Sequence, residues 1–78
     1  MTTIPEPWKT DDELREHGAM IAHLPDGRPD GDGGPGWYVR QWHSKAALER
    51  ALKGEFYPFA ETGPFATEAE ARQDAIDP

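Results

Sequence analysis

The sequence contains no cysteine among its 78 residues. This absence excludes a disulfide scaffold, a zinc site with thiolate ligands and a thiol nucleophile. Long apolar runs are also missing, because the longest is Ala19-Met20-Ile21-Ala22, far shorter than the ~20 residues of a membrane span. The first residues have neither the basic start nor the apolar stretch of a secretory signal. We therefore expect a cytoplasmic protein that does not span a membrane.

The apolar residues that usually fill a protein core are scarce as well. Leu, Ile, Val and Phe together account for 11 of 78 residues, below the roughly 20% at which a highly charged chain is commonly disordered. Three Trp, two Tyr and two Met offset this shortage, so each large aromatic carries unusual weight in a small core. We predict one small domain over 1–78, whose core residues are Trp8, Trp37, Trp42, Leu48, Leu52 and Phe59.

Capping residues indicate three helices. Thr10, Ser44 and Thr67 each precede a helix-forming segment, and a hydroxyl at that position accepts a hydrogen bond from an otherwise free backbone N–H. Glycine after the first two segments and alanine throughout the third are consistent with this prediction. The predicted helices end at Gly18, Lys53 and about Ile76.

Strand patterns lie between these helices. Residues 19–24 and 37–43 alternate or are rich in aromatic and β-branched side chains, which predicts a hairpin with His23 facing His43 across it. Phe56–Phe59 is predicted as a third, edge strand or an aromatic loop, and 62–64 as a turn. The resulting expectation is an α+β fold of order α-β-β-α-β-α, with a small two- to three-stranded antiparallel sheet and helices packed on one face.

Two segments of the domain are predicted to be irregular. Prolines keep residues 1–9 extended, and 25–36 (PDGRPDGDGGPG) has the composition of a long loop. Part of this loop resembles the start of a calcium site, but the pattern fails at three later positions, so no metal site and no cofactor are predicted. The loop carboxylates are instead candidate contact residues: Asp26, Asp30 and Asp32.

The charge is strongly acidic and unevenly distributed. The formal net charge is −7, made up of −5 over 1–35, +3 over 36–54 and −5 over 55–78. Nucleic acid and anionic lipid are themselves polyanions, so this charge makes direct binding to either unlikely and favours a protein partner with a basic surface. The candidate partner-binding residues are the acids of the two terminal helices, namely Asp11, Asp12, Glu13, Glu16, Glu68, Glu70 and Asp74.

In size, charge and compactness the chain resembles small phage-encoded inhibitors such as anti-CRISPR proteins. That resemblance implies a nucleic-acid mimic whose carboxylates occupy the channel of a basic nucleic-acid-binding protein. The sequence also has a single serine and little volume for a water-excluding cleft, so we expect a binding module and no enzyme.

Two alternatives stay open. The first is a module that contacts single-stranded nucleic acid through basic and aromatic side chains of the central segment. Its candidate contact residues are Arg40, Trp42, Lys45 and Arg50. The second is a small housekeeping domain.

Overall fold

The computed structural model of the chain describes residues 7–28, 31 and 33–77. Over these residues it shows the predicted element order, so the α+β class is confirmed. The helices are α1 (Asp12–Glu16), α2 (Lys45–Leu52) and α3 (Glu68–Ile76), and the strands are β1 (Ala19–Leu24), β2 (Gly36–Gln41) and β3 (Ala60–Phe65).

The strands form one antiparallel sheet with β2 in the centre. Pairing between β1 and β2 is regular from Ala19–Gln41 onward. Pairing between β2 and β3 is interrupted between Trp37 and Val39. On the outer edge of β1, the backbone of Lys9 exchanges two hydrogen bonds with that of Ile21, at 2.8 and 2.9 Å. The N-terminal segment is thereby attached to the sheet.

The third strand lies later in the chain than predicted. Residues 56–59 are irregular, whereas 60–65 pair with β2 and include the stretch predicted as a turn. Pro64 lies within this strand, joined to Gly63 by a cis peptide bond. Proline is tolerated here because β3 is an edge strand and a missing N–H costs no central ladder bond.

The sheet is covered on both faces, and each face has its own core. The aliphatic core consists of Leu14, Ala19, Ile21, Val39, Ala71 and Ala75, and lies beneath α1 and α3. The aromatic core consists of Trp8, Met20, Ala22, Tyr38, Trp42, Ala47 and Leu48, and lies on the opposite face beside α2. The prediction that the helices pack on one face is therefore wrong for α2. Residues 19–22 are all buried. The strand β1 therefore has no polar side, as expected for a strand that is covered on both faces of the sheet.

The predicted core residues are mostly placed as expected. Trp8, Trp42 and Leu48 are buried, and Trp37 and Leu52 are half-buried against the two cores. Phe59 is the exception, since its side chain is 42% exposed. It belongs to the irregular segment before β3 and lies against Trp42, with ring centroids 4.9 Å apart.

The helix starts follow the predicted capping chemistry with one shift. The hydroxyls of Ser44 and Thr67 accept hydrogen bonds from the third following residue, each at 3.1 Å. In α1 the cap is Asp11 instead of Thr10, and its carboxylate accepts from the Leu14 N–H at 3.0 Å. The Thr10 hydroxyl donates to the Ala19 carbonyl at 2.7 Å. Because of this tertiary hydrogen bond, Thr10 does not cap the helix.

Candidate functional site

Helices α1 and α3 lie side by side over the aliphatic core, and Arg72 of α3 connects them. Its guanidinium contacts Asp11 at 2.8 Å and Glu13 at 3.3 Å, and also Glu68 of its own helix at 3.6 Å. Glu68 and Arg72 are four residues apart, which places them on the same side of a helix. Arg72 therefore joins three acidic residues from the two ends of the chain in one ion network, whereas Glu70 and Asp74 lie on the side of α3 toward β3.

We define the acidic surface as the seven predicted acids of these two helices. Lysines link its margins to the rest of the fold: Lys9 contacts Glu68 at 3.0 Å, and Lys45 of α2 contacts Glu16 at 2.8 Å. Asp74 accepts from the Thr62 hydroxyl of β3 at 3.1 Å. The seven acids of the surface are Asp11, Asp12, Glu13, Glu16, Glu68, Glu70 and Asp74.

Ion pairs stabilise the ionised form of three carboxylates of the acidic surface. A hydrogen bond from Arg72 lowers the pKa of Asp11 below its ordinary value, and hydrogen bonds from Lys9 and Lys45 lower the pKa of Glu68 and Glu16. Hydrogen bonds to the charged form of a carboxylate favour that form. These carboxylates are consequently negative at neutral pH.

The loop after β1 is attached to the opposite side of the sheet. Tyr38 of the aromatic core donates its hydroxyl to the Gly34 carbonyl at 2.7 Å, and Arg28 forms an ion pair with Glu61 at 3.1 Å. Asp26 is exposed at the start of this loop. Asp30 and Asp32, the other two predicted loop contacts, lie outside the described residues. The loop is thus anchored on the side of the aromatic core, away from α1 and α3.

The residues of the alternative nucleic-acid interface have intramolecular partners. Trp42 is only 6% exposed, and its indole N–H donates to the Tyr57 carbonyl at 3.1 Å. Arg40 donates to Glu61 at 2.8 Å, and its guanidinium lies 4.2 Å from the ring of Trp8.

The other two basic residues of this set are also paired. Lys45 contacts Glu16, as described above, and Arg50 contacts Glu55 at 3.3 Å. Stacking of a base requires an exposed aromatic face, and the ring of Trp42 offers little of one. The structure does not bring these four residues together as an open basic and aromatic platform.

Sequence reasoning missed an open groove of about 780 Å³ beside the C-terminal end of α1. The side-chain amide of Gln41 lies in this groove and donates to the carbonyls of Ala75 at 2.9 Å and His17 at 3.2 Å. The sequence of a single helix or strand does not predict this groove, because the strand register brings its lining residues together. Its lining residues are Glu16, His17, Gln41, Trp42, His43, Ser44, Pro58, Phe59 and Ala60.

The same register corrects the predicted histidine pair. His23 is opposite Trp37 and stacks on it with ring centroids 4.8 Å apart, whereas His43 follows β2 and lines the groove with His17. His23 and His43 therefore do not face each other. Over 7–28, 31 and 33–77, no three His, Asp or Glu side chains are grouped so as to hold a metal ion.

No protein-family model matches this chain, and comparisons with curated proteins and with solved structures found no significant match. Among the described residues, no helix combines the length and apolar character needed to cross a membrane. The choice of a candidate function consequently depends on the geometry and charge of the surfaces described above.

Proposed function

We propose that the protein is a small, non-enzymatic binding module whose acidic surface binds a basic surface of a protein partner. The observation that carries this proposal is the bridge by Arg72 from α3 to Asp11 and Glu13. Through it, acidic residues from both chain ends, Asp11 and Glu13 at α1 and Glu68 of α3, share one ion network.

The charge balance of this surface supports binding to positively charged side chains of a partner. Five of the seven carboxylates lie around Arg72 and the marginal Lys9 and Lys45, and Glu70 and Asp74 lie on the other flank of α3, so a negative excess is left. Exposed ion pairs contribute little to stability, which means that lysines or arginines of a partner can replace the intramolecular cations at little cost. The overall charge of −7 would also accelerate association with a basic partner.

The finer proposal is that the partner is a nucleic-acid-binding protein. Channels that hold nucleic acid are basic because they neutralise phosphates, and a surface of carboxylates on two adjacent helices offers them a competing polyanion. This is the mode expected of a phage-type inhibitor. The arrangement supports it better than direct binding of nucleic acid, since Trp42 is buried and Arg40, Lys45 and Arg50 are paired with acids.

A charge-matched pair of variants tests this proposal. Asp12→Asn with Glu70→Gln removes two exposed charges from the acidic surface, and Glu49→Gln with Glu55→Gln removes two exposed charges elsewhere. Tagged proteins are used to capture partners from host lysate at about 50 and about 300 mM salt, where screening differs strongly, and bound proteins are quantified by mass spectrometry.

We expect basic proteins to bind the natural chain at the lower salt concentration and to be lost at the higher one. The first double variant should capture several-fold less of them, whereas the second should capture as much as the natural chain. Equal capture by both variants would contradict the assignment of this surface. Recovery of nuclease or effector subunits would support the finer proposal, and their absence among the bound basic proteins would contradict it.

A further inference from the structure

We propose that the groove beside the acidic surface receives an aromatic side chain of the partner, next to lysine or arginine in the partner's sequence. This inference rests on the proposed function and specifies the chemistry of the bound segment. It is carried by three observations, namely the apolar side of the groove, its polar side, and the charge at its margin.

The apolar side of the groove consists of exposed rings. Phe59 is 42% exposed while its ring lies against that of Trp42, and Pro58 and Ala60 beside it are also exposed. Phe56, three residues earlier, is 89% exposed but does not line the groove. Aromatic and proline side chains of this kind pack favourably against another aromatic ring.

The polar side of the groove combines two groups that already have intramolecular partners with two histidine rings. The Gln41 amide donates to two backbone carbonyls, and the Ser44 hydroxyl accepts from the first turn of α2. His17 and His43 add two exposed imidazole rings, whose faces also stack on aromatic groups. Because the groove is open along its length, its occupant can be a side chain that remains attached to a polypeptide.

Charge at the margin of the groove determines the neighbours of this side chain. Glu16 lines the groove, and Asp12 lies four residues earlier, on the same outward side of α1. Both carboxylates are exposed, and the Lys45 side chain that contacts Glu16 is 45% exposed. A lysine or arginine next to the bound aromatic residue can therefore reach Glu16 or Asp12. This complementarity favours a basic peptide segment over a neutral or acidic one.

The test uses two synthetic peptides of nine residues. Both consist of lysine and arginine around one central residue, which is phenylalanine in the first and alanine in the second. Affinities are measured by isothermal titration calorimetry at about 50 mM salt. We expect the natural chain to bind the phenylalanine peptide at least about five-fold more tightly, as a well-packed aromatic contact provides.

Variants of the protein locate the contact. Ala60→Phe fills the groove from an exposed position and should abolish the preference for phenylalanine, as should Phe59→Ala. Phe56→Ala, outside the lining, is the matched control and should preserve the preference. Circular dichroism verifies that each variant is folded. If Phe59→Ala is unfolded, the test relies on Ala60→Phe, which removes no core contact.

The outcomes separate this inference from the proposed function. Equal affinity for the two peptides, still weakened by Asp12→Asn with Glu70→Gln, would overturn the groove proposal and leave the acidic surface supported. Binding of neither peptide would contradict both proposals. A preference for phenylalanine that persists in Ala60→Phe would place the aromatic contact elsewhere and overturn the assignment of the groove.

Discussion

The two faces of the sheet achieve burial in different ways. Under α1 and α3, the fully buried large residues are Leu14, Ile21 and Val39, with Trp37 and Phe65 partly buried against them, and α3 contributes Ala71 and Ala75. On the other face, large rings fill the space, and they hold irregular segments through hydrogen bonds from Tyr38 and Trp42. Alanine is used where a helix approaches closely, and aromatic residues are used where loops leave wide gaps.

With these two modes of burial, a chain with few aliphatic residues covers both faces of the sheet. Small side chains bring the backbone of α3 close to the sheet, so little apolar volume is needed there. The acidic residues above it are held by Arg72 and not by additional burial. The acidic surface therefore remains exposed and charged, and the core beneath it provides the rigid support.

The largest expected effect follows from removing volume on the aromatic side. Leu48 is fully buried in the aromatic core, so Leu48→Ala should lower the free energy of unfolding by about 2–5 kcal/mol. Urea denaturation followed by tryptophan fluorescence measures this loss. Leu52→Ala on the same helix is the control and should cost clearly less, because Leu52 is half-buried. Equal losses would contradict the position of the aromatic core.

Adding volume on the opposite face is expected to have the next largest effect. Ala71 is 0% exposed between α3 and the sheet, so Ala71→Leu should lower the free energy of unfolding by about 1–3 kcal/mol through overpacking. Ala69→Leu makes the same change at an exposed position of the same helix and should change stability by less than about 0.5 kcal/mol. An Ala71→Leu variant as stable as the natural protein would show that α3 does not approach the sheet closely.

The smallest effect concerns the dependence of stability on pH. The pKa of Asp11 and that of Glu68 are lower in the folded protein, by hydrogen bonds mainly from Arg72 and Lys9 respectively. A carboxylate whose pKa is lower in the folded protein stabilises that state only while it is ionised. This contribution should therefore begin to decline below about pH 4 and be lost as the pH falls through the lowered pKa of the folded protein. Thermal unfolding between about pH 3 and 7 should show a midpoint that falls toward the acidic end.

Arg72→Met distinguishes this ion network from acid effects on the whole chain. With Arg72 removed, Asp11 loses the largest cause of its lowered pKa, so the midpoint should fall less steeply with acid. Arg50→Met removes one exposed positive charge from α2 and is expected to keep the natural slope. If both variants behave like the natural protein, the bridge by Arg72 contributes nothing measurable.

Local signals in the sequence predicted the helices well. A cap is determined within one turn, so Ser44 and Thr67 could be recognised from their neighbours alone. The third strand could not, because Ala60–Phe65 has few residues with strand propensity and pairs with β2 only in the assembled sheet. The aromatic stretch at 56–59 is a stronger local strand signal, and it led the prediction to the wrong segment.

The candidate site was predictable only in part. Two acidic helices are evident in the sequence, and the spacing of Glu68 and Arg72 indicates an ion pair within α3. The contacts of Arg72 with Asp11 and Glu13 are not evident, since they join residues about 60 positions apart. Likewise, the positions of His17 and His43 in the groove depend on strand register and were not evident in the sequence.

The backbone at the two edges of the sheet has a consequence for behaviour at high concentration. A long free edge can template addition of further strands and lead to aggregation. Here Lys9 already occupies the outward N–H and C=O of Ile21 in β1, and in β3 Pro64 has no N–H to offer. Both devices act against polymerisation by strand addition, which would favour accumulation of the protein to high levels without fibre formation.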